Sequence, residues 1–144
     1  MTKCFHEWNV ANMQTINGLH IPQSLEEIVT PTNTALIVYD MQVGIVRQIP
    51  RGQEITQRVG QVLTAARHAG VRIFFTRHMS LPKALMGAFQ FRTAMAWQRA
   101  ESPEKIMPMF LRDSAAFQIV PELAPQASEA VVDKITMSAF EGTF

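Results

Sequence analysis

The chain has 144 residues, enough for one compact domain on the prior of about 100–200 residues each and too few for two ordinary ones. With 47% hydrophobic and 17% charged residues and a mean hydropathy of +0.04, the composition is globular and excludes disorder as the main state. A net charge of +1 and a single cysteine, Cys4, exclude nucleic acid or an anionic membrane as the main partner, an internal disulfide framework and a zinc–thiolate cluster.

No apolar run approaches the roughly 18 residues that span a bilayer. The opening MTKCFHEWNV has no continuous apolar core of a signal peptide. A reducing, cytoplasmic location is therefore expected.

Residues 1–33 show no clean period. They mix aromatic, polar and turn-forming residues, among them Asn17-Gly18, Pro22 and Pro31, around one helical signal. In that signal Ser24 is the cap and Glu27, three residues on, completes a capping box. The segment is expected to be an extended arm lying on a body, its own or a neighbouring subunit's, and so to serve a homo-oligomer.

At Thr34 the character changes. Ala35-Leu-Ile-Val-Tyr39 is a β-branched apolar run ending in Asp40, which predicts a strand buried on both faces. Ile55, Val59, Val62, Leu63, Ala66 and Ala69 then share one helical face, closed by Gly70. Val71 to Thr76 is a second short apolar strand. Residues 35–76 therefore read strand, helix, strand, a βαβ crossover of the kind that builds parallel sheets.

Pro82, Pro103 and Pro108 break residues 78–112, which are predicted to be an irregular insertion with a helix between Ala84 and Ala100. Phe89, Phe91 and Trp97 there either roof a site or pack on the sheet. Ala130 to Lys134 is the third strand. No final helix follows it through Phe144, and soluble proteins avoid leaving an apolar sheet edge bare. The 144 residues are therefore expected to be the first half of a longer doubly wound domain, and by themselves to be inactive and prone to associate.

Ligands of open parallel sheets bind beyond the carboxyl ends of the strands, which singles out Asp40, Arg77, His78 and Lys134. Asp40 either transfers protons or caps the following turn. Lysine is rarely buried unpaired, so Lys134 is expected to meet Asp40 or Asp133, as a structural pair or as a device that keeps Asp40 ionised and activates a nucleophile. Cys4 lies in the arm, away from any strand end or helix start that would lower its pKa. His78 has no His or carboxylate two or four residues away, so no metal is expected there; a hydrogen-bonded histidine at the crevice rim is. Arg77 is suited to pair an anionic group of a substrate through its planar fork.

In this order, Thr34-Ala-Leu-Ile-Val-Tyr-Asp40-Met-Gln42, His68 to His78, Pro121-Glu-Leu-Ala-Pro125, Val131-Val-Asp-Lys134 and Ser138-Ala-Phe140-Glu-Gly-Thr143 resemble the isochorismatase-like hydrolase superfamily. The resemblance covers residues 34–144 and implies a Rossmann-like three-layer α/β/α sandwich with a parallel sheet, of which this chain holds the first half. It implies hydrolysis of an amide or other carbon–nitrogen bond of a small-molecule substrate, with no cofactor, by an Asp, Lys and Cys triad. Asp40 and Lys134 match the first two members, and the cysteine would lie past Phe144. Gln42 and Phe140 of these motifs, with Arg77 and His78 at the end of the second strand, are the expected substrate-binding residues. The metal-dependent nicotinamidase branch carries Asp-x-His after the second strand, where this chain has Arg77-His78-Met79-Ser80. Isochorismatases proper need no cysteine, because the aspartic acid protonates a carbon of a vinyl ether and water then adds. A non-catalytic binding relative is the third reading.

Overall fold

The structure is a computed structural model that describes residues 14–141; Cys4 and the final three residues lie outside the described residues. The chain divides into two compact units between Thr34 and Ala35.

In the first unit, β1 (Gln14–Ile16) and β2 (Leu19–Ile21) pair antiparallel. The two residues between them, Asn17 at φ 51° and Gly18 at φ 78°, have the doubly positive φ of a tight hairpin turn. A single helical turn, α1 (Leu25–Ile28), follows Ser24, whose hydroxyl accepts the Glu27 N–H at 3.3 Å. The Glu27 carboxylate turns back to the N–H of Gln23, one residue before the cap, at 2.5 Å. Within the predicted arm, residues 14–28 thus hold a hairpin and a capped helical turn; residues 1–13 lie outside the described residues.

The second unit contains β3 (Ala35–Tyr39), α2 (Val43–Val46), α3 (Gly52–Ala69), β4 (Arg72–His78), α4 (Ala88–Gln98) and β5 (Ala130–Lys134). The three strands form a parallel sheet in the order β3-β4-β5, so the predicted α/β class and βαβ crossover are present. Two glycines bound the crossover helix. At Gly52 a Cβ would collide with the Val46 carbonyl oxygen, so glycine lets α2 abut α3. At Gly70, φ is 73° and the N–H closes on the Ala66 and Arg67 carbonyls, a left-handed cap that costs glycine little. Arg67 also forks onto Glu129 through two bonds of 2.7 Å, tying the end of α3 to the lead-in of β5.

Strand alternation decides what is buried. Leu36 and Val38 of β3 lie opposite Ile73 and Phe75 of β4. Val38, Ile73 and Phe75 pack with Leu63 of α3 and with Val120 and Leu123 into the core. The intervening residues Ile37, Tyr39 and Phe74 point to the other face and are 36%, 43% and 36% exposed. β3 is therefore buried on one face, where burial on two was expected. β4 runs two residues past its predicted end, which puts Arg77 and His78 inside the ladder, opposite Asp133 and Lys134. Of the insertion, α4 has no buried residue and Phe89 is 77% exposed, whereas Trp97, 57% exposed, and the buried Phe110 reach the sheet at its His78 end. No helix of the described residues is long and apolar enough to cross a membrane.

Leu63 is 1% exposed and its side chain joins α3 to both β3 and β4. Leu63→Ala is expected to lower the unfolding free energy by about 2–5 kcal/mol, read as a fall in the urea midpoint at unchanged slope.

Candidate active site

The site begins where β3 gives up its extended backbone. Asp40 sits at φ 49°, a left-handed conformation uncommon outside glycine, asparagine and aspartate. Thr76 of the neighbouring strand holds it there. The Asp40 N–H donates to the Thr76 carbonyl at 3.2 Å and to the Thr76 hydroxyl oxygen at 3.1 Å. The hydroxyl in turn donates to Oδ1 of Asp40 at 2.7 Å.

Lys134 arrives from β5, two strands away, across β4. Its Nζ donates to Oδ2 of Asp40 at 2.6 Å, with the lysine side chain 0% and the aspartate side chain 12% exposed. The ammonium also reaches the carbonyls of Thr136 and Met137 at 3.3 and 3.5 Å and lies 4.5 Å over the Tyr39 ring, whose hydroxyl donates to the same Met137 carbonyl. An ammonium has three protons, and each has an oxygen here. The result is a desolvated ion pair with fully specified geometry, suited to moving a proton beside a fixed positive charge.

The other sequence-predicted residues are engaged in different ways. Gln42 is 0% exposed. Its side-chain amide donates to the His78 carbonyl at 3.0 Å and the Phe117 carbonyl at 2.8 Å, and accepts the His78 N–H at 2.7 Å. It thereby supplies β4 with the backbone pairing that β3 stops providing at Asp40. Arg77 forks onto Asp133 at 2.7 and 3.1 Å and stacks 4.3 Å from the Phe117 ring centroid. Phe140 is 85% exposed, with its N–H on the Ser138 hydroxyl at 3.0 Å.

His78 lies opposite Lys134 in the ladder. Trp97 and Phe110 meet its ring edge-on at 6.1 and 6.0 Å between centroids, and its Nδ1 is buried without a hydrogen-bond partner among the described residues. Burial, and next the Lys134 charge, hold its pKa below the ordinary 6.5, against smaller opposing effects of Asp40 and the Thr136 carbonyl. The charged imidazolium is thus disfavoured at His78. No three His, Cys, Asp or Glu side chains among the described residues are grouped to hold a metal ion.

Asp40 and Lys134 are therefore brought together, with His78 beside them. Gln42 and Arg77 have their polar atoms engaged within the protein. Sequence reasoning missed Thr76 and Tyr39, both absorbed into apolar strands; the one available signal was a hydroxyl residue at the end of an otherwise apolar run, Ile73-Phe-Phe-Thr76.

Residues 34–144 match the family described as the isochorismatase domain. No protein of curated function matches the chain in sequence. Among solved structures, it is similar to a cysteine hydrolase from Pseudomonas syringae pv. phaseolicola 1448A, with 27% identity and a TM-score of 0.57 over 80% of this chain and 52% of that one. It is also similar to an isochorismatase from Pseudomonas putida KT2440, with 22% identity and a TM-score of 0.55 over 80% of this chain and 48% of the other. An N-carbamoylsarcosine amidase from Thermoplasma acidophilum shares the fold at 17% identity and a TM-score of 0.57, over 76% and 56% of the two chains. The chain thus spans about half the length of the solved structures it matches.

Two measurements check the site. Lys134→Met leaves the Asp40 carboxylate without its counter-charge and is expected to cost about 3–5 kcal/mol; adding Asp40→Asn should recover part of that loss in a double-mutant cycle. His78 must take up a proton on unfolding in acid, so the stability due to its neutral burial is complete above pH 6.5 and is lost as pH falls below that value. The decline in unfolding free energy between pH 7 and pH 5 should be shallower in His78→Phe.

Proposed function

This chain belongs to the isochorismatase domain family, and from that premise we propose that the protein is a small-molecule hydrolase of amide or other carbon–nitrogen bonds with Asp40 as its proton-transfer group. The observation that carries the proposal is the 2.6 Å bond from Lys134 Nζ to Asp40 Oδ2 at the carboxyl end of the sheet, where open parallel sheets bind ligands.

The nucleophile in this reading is a cysteine outside residues 1–144. Asp40 takes the thiol proton, and the Lys134 ammonium favours the thiolate that forms. The thiolate adds to the carbonyl carbon, and Asp40 returns the proton to the departing amine. Water then adds to the thioester carbonyl with Asp40 again as base, the carbon–sulfur bond breaks, and Asp40 hands its proton to the released thiolate. Lys134 keeps its positive charge throughout. Gln42 and Arg77 enter the proposal as residues that position β4 and β5, with their own polar atoms engaged by protein. His78, beside the pair, and Phe140, whose ring is exposed, enter the proposal as the residues that meet the substrate. Action on a small molecule, as a homo-oligomer in the cytoplasm, completes the reading.

A second reading is favoured by the completeness of the Asp40–Lys134–Thr76 arrangement within this chain alone: hydrolysis of a vinyl ether, in which Asp40 is the acid and no thiol takes part.

In the full-length protein, Asp40→Asn is expected to lower turnover by about 10²–10⁴-fold against a panel of small amides and isochorismate. Turnover on amides supports the first reading, turnover on isochorismate alone the second. Unchanged turnover in the variant would remove Asp40 from the chemistry.

A further inference from the structure

Resting on that reading of Asp40, we infer that Thr76 is a positioning residue that confines proton transfer to Oδ2 of Asp40. The hydroxyl has one proton and two lone pairs. Its oxygen accepts the Asp40 N–H at 3.1 Å while its proton goes to Oδ1 at 2.7 Å. Thr76 is only 4% exposed, so a proton placed on Oδ1 would force the hydroxyl to turn its own proton away and give up the 2.7 Å bond in a largely buried site. Oδ1 is held as an acceptor.

Oδ2 differs. It accepts a single bond among the described residues, from Lys134 at 2.6 Å, and a carboxylate oxygen has about two acceptor sites. The second is open to a reacting group. The proton therefore arrives at and leaves from Oδ2, beside the ammonium, while Oδ1 stays in the ring that Thr76 closes with the Asp40 backbone. The same ring fixes the carboxylate's rotation about its side chain, because Thr76 bonds the N–H and the carboxylate of one residue at once.

The test is Thr76→Val against Thr76→Ser in the full-length protein. The valine variant keeps the volume and loses the hydroxyl; its kcat should fall about 10- to 100-fold with KM little changed, and serine should restore most of it. A second readout is independent of turnover: the infrared stretches of ¹³C-labelled Asp40, identified by their loss in Asp40→Asn, should shift in the valine variant and stay in place in the serine one. A third needs no variant: the Thr76 hydroxyl proton should be visible by NMR and protected from exchange. Native activity with unchanged kcat in Thr76→Val, an unshifted Asp40 band, or a fast-exchanging hydroxyl overturns the assignment of Thr76. A native protein inactive on every amide and ether overturns the hydrolase reading instead, and the catalytic part of this inference with it.

Discussion

A lysine ammonium with no exposed surface has to be answered inside the protein, and the answer given to Lys134 sets the geometry of three strand ends. Stripping an ammonium of water costs several kcal/mol even after relaxation. Here the compensation comes from Asp40 at the end of β3, from the carbonyls of Thr136 and Met137 after β5, and from the face of Tyr39. β3 must turn left-handed at Asp40 to present its carboxylate, and the chain after β5 must fold back over the sheet to present its carbonyls. Thr76, on the strand that the lysine crosses, then binds the turned aspartate. Packing by α3 would be compatible with many conformations of these loops; a buried cation is compatible with few.

The sheet keeps its charges apart by strand alternation. Arg77 and Asp133 share the face that carries the core, Lys134 the opposite one, so adjacent residues of β5 serve two separate ion pairs. This separation explains why Asp133, one position from Lys134, is not its partner: successive side chains of a strand point to opposite faces. Gln42 completes the arrangement from outside the strands. Its amide reproduces the donor and acceptor of a peptide unit beside His78, so β4 stays paired on both sides as far as the level of Lys134.

The strands and α3 were legible in the sequence because each depends on local pattern: the apolar run to Tyr39, the helical face from Ile55 to Ala69, and the stop at Gly70. Asp40 and Lys134 were legible for a related reason, being polar residues at the ends of apolar runs. What escaped reading depends on contacts between distant positions. Gln42 acts through Phe117, 75 residues on, and nothing local to Met41-Gln42-Val43 announces that. Thr76 has ordinary strand chemistry until its register opposite the end of β3 is known. The hairpin at Asn17-Gly18 did carry its turn signal, but strands of three mixed residues gave no alternation to support it. The half-exposed face of β3 could not be foreseen either, since burial on one face or two depends on what else covers the sheet.

The left-handed backbone at Asp40 also restricts which amino acids can follow by drift. Most side chains raise the energy of that conformation, whereas asparagine and glycine tolerate it. A descendant that abandons proton transfer while keeping this strand exit would therefore tend to carry asparagine or glycine at position 40, and a bulkier residue there would mark a lineage in which the loop itself has been rebuilt. The backbone angle thus leaves a record of lost chemistry distinguishable from a record of lost fold.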